Sequence, residues 1–213
     1  MEESRLSILC MTLGMVETNC YLIWNKESKE ALLIDPADDA AQIEKVIRER
    51  NLSLKALLLT HGHFDHVLAA SALRDAFHVP LCAAETEAET LRNPELNGDA
   101  RWLWQGLSLK ADRLFHDREK LSFLGTEIEV LFTPGHTAGS CCYYFPAEKL
   151  LFSGDTLFEG SFGRVDLPGG NMASLKRSLD RLFELPADTL VLPGHMGQTS
   201  IGEERKSNPI FYY

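Results

Sequence analysis

The stretch Ala56-Leu57-Leu58-Leu59-Thr60-His61-Gly62-His63-Phe64-Asp65-His66 places three histidines and an aspartate in six residues, directly behind an apolar run. Ala56–Leu59 reads as a strand and Asp65 onward as a helix, so the histidines fall in the turn between them. A turn at the carboxyl end of a strand projects side chains into the crevice where α/β proteins place ligands. Imidazole and carboxylate are the groups that hold divalent zinc or iron. In a tight turn His61 and His63 can converge on one point, while Asp65 and His66, at the start of the helix, face another. Four such groups so close are costly to bury without a cation. The competing reading, exposed loop histidines beside a helix-capping aspartate, accounts for less of the pattern.

Two further histidines sit in matching settings. His136 follows Val130–Phe132 through Thr133-Pro134-Gly135, and His195 follows Val191-Leu192 through Pro193-Gly194. Glycine allows an unusual backbone angle or a close approach, so the next side chain can turn inward. Either histidine alone reads as a satisfied surface or core residue. The same device twice, in a chain already carrying His61–His66, favours ligands. Asp155 ends the apolar run Leu150-Leu151-Phe152-Ser153-Gly154. Alone it reads as a cap; beside five histidines and Asp65 it reads as a carboxylate whose two oxygens bridge two cations. His78 and His116 lack any such setting and read as surface residues.

The rest of the chain supplies the frame. Its 213 residues, 45% apolar and 24% charged, fit one globular domain over residues 1–213. Strand candidates are Leu6–Met11, Tyr21–Trp24, Ala31–Ile34, Ala56–Leu59, Leu81–Ala83, Ile128–Phe132, Cys142–Phe145, Leu150–Phe152 and Thr189–Leu192. Helix candidates are Ala40–Arg50, behind the cap candidates Asp38 and Asp39, then Asp65–Phe77 and Ala173–Leu185. This alternation predicts an α/β architecture with helices covering the sheet faces. The segment Glu85–Asp117 reads as broken helix plus loop overhanging one end of the sheets, with Trp102 and Trp104 partly buried in the core or, as the alternative, forming a substrate-pocket wall or a dimer contact.

A net charge of −10 argues against nucleic acid as a partner, because binding phosphates needs clustered Lys and Arg. No stretch reaches the roughly 20 apolar residues of a membrane span. The start Met1-Glu2-Glu3-Ser4-Arg5 has neither the basic end nor the apolar run of a leader. The expectation is a cytoplasmic protein without a membrane partner. Cys10, Cys20, Cys82, Cys141 and Cys142 show no metal-finger spacing and read as small buried hydrophobes, the last two pointing to opposite faces of a strand. Cys10 and Cys20 flank the first hairpin and can come close.

With these residues in place, the chain resembles the metallo-β-lactamase superfamily. The resemblance rests on HxHxDH, then His136, Asp155 and His195 in order. It runs from Asn19-Cys20-Tyr21-Leu22-Ile23 and Leu33-Ile34-Asp35-Pro36 to Pro193-Gly194-His195. It implies an αβ/βα four-layer sandwich, two mixed sheets face to face with helices outside and two divalent metal ions at one edge. The ions are expected to be zinc, with iron and manganese also compatible. By position, His61, His63 and His136 hold the first ion, Asp65, His66 and His195 the second, and Asp155 bridges them together with a hydroxide. β-Lactamase-type members have Cys where this chain has Asp155 and lack a match for His66, so the chain looks unlike an antibiotic-degrading enzyme. Flavodiiron proteins have Glu at the position of His63, and the tRNA-processing nucleases carry an additional RNA-grasping arm. Gly163-Arg164-Val165-Asp166, Thr199-Ser200-Ile201-Gly202-Glu203-Glu204 and Ser207-Asn208-Pro209 look like the short bacterial members of the glyoxalase II-like group. The C-terminal helical domain with which glyoxalase II holds glutathione has no counterpart before Tyr213.

The activity this implies is metal-assisted hydrolysis of an acyl bond, best a thioester such as S-lactoylglutathione. A hydroxide between the metals attacks, a thiolate leaves, and Asp65 orients the nucleophile. A thiol of pKa near about 8.5 departs with little help from an acid. Two readings compete: a mononuclear iron persulfide dioxygenase using His61, His136 and Asp155, and a non-catalytic metal-binding scaffold. Arg164 and Asp166 are expected to pair in the interior and support the loop after Asp155, with contact to substrate as the alternative. Phe158, Phe162, Phe211, Tyr212 and Tyr213 can line the pocket mouth, though an apolar tail fits packing or a homodimer contact better.

Overall fold

Residues 4–213 are described by the computed structural model; the opening Met-Glu-Glu of the leader expectation lies outside them. The first half of the chain builds a six-stranded sheet from β1 (Leu6–Leu13), β2 (Thr18–Asn25), β3 (Glu30–Ile34), β4 (Ser53–Leu58), β5 (Leu81–Ala84) and β6 (Arg113–Phe115), in that order. The first three strands pair antiparallel and the last three add in parallel. The second sheet has the order β14 (Thr199–Ser200), β13 (Leu190–Pro193), β10 (Leu150–Gly154), β9 (Cys141–Phe145), β8 (Thr126–Phe132) and β7 (Lys120–Phe123). A short hairpin, β11 (Leu157–Phe158) and β12 (Ser161–Phe162), follows β10. All nine strand candidates are present, each gaining one to three residues at an end, but β4 stops one residue early at Leu58 and β13 starts one late at Leu190.

Alternation along the strands sorts side chains into three cores. Leu22, Leu33 and Leu57 pack outward against α1 (Ala40–Glu49) and α3 (Ala70–Phe77) through Ile43, Ile47 and Leu73. Tyr21, Ile23, Leu32 and Leu58 point the other way and meet Val130, Tyr143, Phe145 and Phe152 between the sheets. Leu131, Tyr144 and Leu151 face α6 (Met172–Leu182) and α7 (Ile201–Ser207), where Leu175, Leu179 and Ile201 cover them. The result is the expected αβ/βα four-layer sandwich. Cys141 and Cys142, adjacent in β9, fall in the inter-sheet and outer cores respectively.

The expected helix Asp65–Phe77 is two helices, α2 (Phe64–Val67) and α3, broken at Leu68-Ala69. The Leu68 and Ala69 N–H groups donate to Ala37 O and Pro36 O at 3.2 and 3.0 Å, so tertiary partners replace helical ones there. Within 85–117 the structure has α4 (Ala88–Arg92), α5 (Asp99–Trp102) and the strand β6. Trp102 is 40% and Trp104 80% exposed, which overturns their placement in the core. Among the described residues, no helix is long and apolar enough to cross a membrane.

Candidate metal centre

Four side chains come from one turn. β4 ends at Leu58, α2 begins at Phe64, and His63 is the residue before it, with extended backbone at φ −64° and ψ 147°. His61 Nε2 lies 3.1 Å from His63 Nδ1, and the His66 ring tilts against His61 with centroids 4.1 Å apart. The second sheet fixes the turn. The Tyr143 hydroxyl donates to Leu59 O at 2.7 Å, and the Cys141 N–H donates to Thr60 O at 2.8 Å.

The two Pro-Gly-His segments owe their shape to close approach. A Cβ at Gly135, whose φ is +147°, would lie 2.4 Å from the Leu175 backbone, and one at Gly194 would lie 2.3 Å from Asp155 Oδ1. His136 thereby reaches the first turn, its Nε2 2.8 Å from His63 Nδ1. Its Nδ1–H donates to Arg164 O at 2.8 Å, which leaves Nε2 with a free lone pair. The turn before His195 is tied to β2: the Asn19 amide donates to Pro193 O and Met196 O, both at 3.0 Å, and the Tyr21 hydroxyl to Pro193 O at 2.8 Å.

Asp155, just past β10, stands between the two groups. Its Oδ2 is 3.5 Å from both His136 Nε2 and His195 Nε2, and its Oδ1 is 3.4 Å from His66 Nε2. Asp65 Oδ2 lies 3.4 Å from His66 Nε2 and 3.3 Å from His195 Nε2, and accepts from the Thr18 hydroxyl at 2.8 Å. Thus all seven side chains singled out in the sequence meet at one place. Three sets bring their ligand atoms within 4.8 Å of one another: His61, His63 and His136; His61, His66 and Asp155; Asp65, His66 and His195.

The electrostatics divide along the same line. Burial, reinforced by the neighbouring imidazoles, holds His61 well below an ordinary histidine and His63 down to about 3, so both keep their lone pairs. At His66 burial acts in the same sense, but Asp65, Asp155 and Asp35 outweigh it and raise its pKa. At Asp65 and Asp155 burial opposes ionisation, yet the surrounding imidazoles outweigh it and hold both below the ordinary carboxylate range. Lone pairs on one side and carboxylates on the other both favour a cation. His66 Nε2 and Asp155 Oδ1 are buried and lack hydrogen-bond partners among the described residues. The donor set and these two atoms fit divalent metal ions.

Several residues around the centre depart from expectation or were not foreseen. Asp35 accepts from Thr60 N–H at 2.8 Å and from the Thr60 hydroxyl at 2.7 Å, and pairs with His66 Nδ1 at 3.0 Å. In the sequence it stands only as part of the resembling stretch Leu33-Ile34-Asp35-Pro36, with nothing to mark it as a partner of His66. Arg164 and Asp166 do pair, through two bonds of 2.6 Å, but on the surface rather than in the interior. The Arg164 carbonyl, not its side chain, touches His136. Cys10 is exposed and the other four cysteines are buried, so the buried reading fails for Cys10 alone. It pairs with Tyr21 across the hairpin on β1, the edge strand of the first sheet. His78 and His116 lie on the surface.

A cavity of about 240 Å³ opens onto the centre, reaching His63, Asp65, His136, Asp155 and His195. The rest of its lining is Met15, Val16, Phe64, Trp102, Leu167 and Arg164, five apolar walls and one cation. Trp102 is seated by Phe64, with ring centroids 5.5 Å apart.

A family model described as the metallo-beta-lactamase superfamily matches residues 13–195. Among curated relatives, hydroxyacylglutathione hydrolase GloC of Haemophilus influenzae is 37% identical over 196 residues, 91% of this chain and 92% of that protein. Among solved structures, BLEG-1, described as a B3 metallo-beta-lactamase, superimposes with a TM-score of 0.91 at 37% identity, covering 97% of this chain and 100% of that one. TTHA1623 in a di-iron-bound form gives a TM-score of 0.82 at 36% identity, covering 94% of this chain and 98% of that one.

Proposed function

The chain belongs to the metallo-beta-lactamase superfamily, and within it we propose that this protein is a two-metal hydrolase of thioesters. His61, His63 and His136 would hold one ion, Asp65, His66 and His195 would hold the other, and Asp155 would serve both. The observation that carries this reading is the position of Asp155, whose two oxygens lie 3.4–3.5 Å from imidazole nitrogens of both sets. Zinc fits the donors, iron and manganese fit them too, and the di-iron relative supports a paired centre.

When bound, such ions lower the pKa of a coordinated water to about 7 and polarise the carbonyl under attack. The chain does the rest. Asp65, steadied by the Thr18 hydroxyl at 2.8 Å, orients the attacking water by accepting its hydrogen bond. Met15, Val16, Phe64, Trp102 and Leu167 receive the acyl group and keep bulk water from it. Arg164, the cation at the rim, faces a carboxylate of the thiol portion. The thiolate leaves without a dedicated acid, since thiols ionise at about 8.5. GloC, a hydroxyacylglutathione hydrolase by name, supports glutathione as that thiol. The free cysteines support a cytoplasmic setting.

A second reading is β-lactam hydrolysis. It is favoured by BLEG-1, a B3 metallo-beta-lactamase by name, at 37% identity over nearly the whole chain. The deciding experiment gives the zinc-loaded protein S-lactoylglutathione, an aryl thioester, a cephalosporin and glutathione persulfide, following thiol release, ring opening and oxygen uptake. Thiol release that a chelator abolishes is the expected result. Intact thioesters beside an opened lactam ring favour the second reading, and oxygen consumption with the persulfide favours the dioxygenase.

A further inference from the structure

Glu87 carries a buried carboxyl group that the thioester reading does not use. It ends the one-turn segment Glu85–Glu87 after β5 and is 1% exposed. Its donors come from two loops. The Gly62 N–H, between His61 and His63, donates to Oε1 at 2.8 Å; the Thr137 hydroxyl, next to His136, donates to Oε2 at 2.9 Å. The Gly139 N–H and the Thr90 hydroxyl complete the set. Gly62 belongs to the turn leaving the first sheet, Thr137 and Gly139 to the turn entering β9 of the second. One carboxylate therefore joins the loops that deliver His61, His63 and His136.

The contact is tight on both sides. A Cβ at Gly139 would lie 2.3 Å from Glu87 N, and a Cβ at Gly62 would lie 3.2 Å from the backbone N of Leu91, one helical turn beyond Glu87. A side chain bonded to Gly62 of one loop and Thr137 of the other restrains the two loops relative to each other. Such restraint matters because imidazoles already aimed at one point need less ordering when an ion binds.

We propose that Glu87 is a positioning residue for the metal centre: by tying Gly62 to Thr137 it holds His61, His63 and His136 facing one point before a cation arrives. This rests on those three side chains being ligands, and is independent of the substrate.

Zinc and cobalt(II) binding to the full chain test it. Competition with a chromophoric chelator reads zinc affinity, and the cobalt absorption spectrum reads ligand geometry. Glu87→Ala, checked for folding by circular dichroism, is expected to lose about tenfold or more in zinc affinity and to shift the cobalt bands. Glu87→Gln, which keeps one acceptor oxygen but turns an NH2 toward one donor, is expected to lose less. Ile43→Ala, a cavity beneath α1, is expected to weaken the fold and leave both readouts at wild-type values. If Glu87→Ala does not fold, the Gln variant decides. Wild-type affinity and spectrum in the deciding variant, or an equal loss in Ile43→Ala, overturns the proposal. A wild-type chain that binds neither metal instead overturns the ligand reading beneath it.

Discussion

His66 Nε2 and Asp155 Oδ1 lie 3.4 Å apart, and neither has a hydrogen-bond partner among the described residues. An unsatisfied buried polar atom costs free energy, and a charged one costs more. The two atoms reach the same gap from different sheets, one through the turn after β4 and one through the end of β10. A cation in that gap satisfies both at once.

Metal is therefore expected to stabilise the fold. A ligand at 100 times its Kd adds about 2.7 kcal/mol, and a chain of this length gains about 2–4 °C per kcal/mol. Zinc is expected to raise Tm by roughly 5–10 °C on these figures, and Asp155→Ala to lose most of that increment. Calorimetry with zinc and with a chelator checks it; equal zinc shifts in the two proteins would deny Asp155 a role as ligand.

Asp35 is expected to matter as much as a ligand without being one. Its Oδ2 faces His66 Nδ1 at 3.0 Å and so keeps Nε2 aimed at the gap. Partners of this kind typically contribute about 10–100-fold to metal affinity. Asp35→Ala is expected to weaken the Asp65, His66 and His195 set by that factor, lowering bound metal from two ions per chain toward one. Metal analysis after gel filtration measures this, and full retention of both ions is the contrary outcome.

The contrast between Asp35 and the seven predicted residues shows what a sequence displays. His61, His63, Asp65 and His66 are legible because one turn holds them, and His136 and His195 because Pro-Gly-His repeats. Asp35 meets His66 across 31 positions, from a backbone at φ +50° that nothing local announces. Glu87 is hidden likewise, since its partners Gly62 and Thr137 lie 25 and 50 positions away. The break between α2 and α3 escapes detection for a related reason: Pro36 and Ala37 supply its hydrogen bonds. The helix α7 is the opposite case. Ser200 caps it by accepting from Glu203 N–H, a local signal that the motif reading passes over. Its buried Glu204 accepts from the Thr199 hydroxyl at 2.7 Å and from Gly160 N–H at 3.0 Å, tying the helix to the β11–β12 turn.

Trp102 is expected to act on substrate binding rather than on the chemical step. It lines the cavity, remains 40% exposed and is seated by Phe64. If an acyl group covers roughly 60 Å² of the ring, about 25 cal/mol per Å² gives about 1.5 kcal/mol. Trp102→Ala is then expected to raise KM for an aryl thioester about tenfold with kcat little changed. Steady-state kinetics with aryl and lactoyl thioesters separate the two parameters; a fall in kcat with KM unchanged would place Trp102 elsewhere in the cycle.

Thiol reactivity should follow burial. Burial raises the pKa of Cys20, Cys82, Cys141 and Cys142, the second of these to about 12, and all four side chains are inside. Cys10 is exposed. A thiolate is the reacting form, so a colorimetric disulfide reagent near neutral pH is expected to titrate one thiol in the native protein and five in denaturant. Two or more fast native thiols would mean that a core opens readily.

Glu87 gives the fold a pH dependence of definite sign. Burial lifts its carboxyl from 4.5 to about 7, against the pull of the Gly62, Thr137, Gly139 and Thr90 donors. The unfolded chain releases that proton near 4.5, while the folded chain keeps it until about 7. Between those values the folded state binds more protons, so this group's contribution falls as pH rises, and it is constant outside the window. At 1.36 kcal/mol per pH unit the change amounts to roughly 3 kcal/mol. Glu87→Gln cannot titrate there. Urea melts of both proteins in chelator should therefore show wild type gaining on the variant by roughly that amount as pH is lowered through the window. A difference that stays level with pH would mean that the four donors, not burial, govern this carboxyl group, which would then be ionised throughout the window.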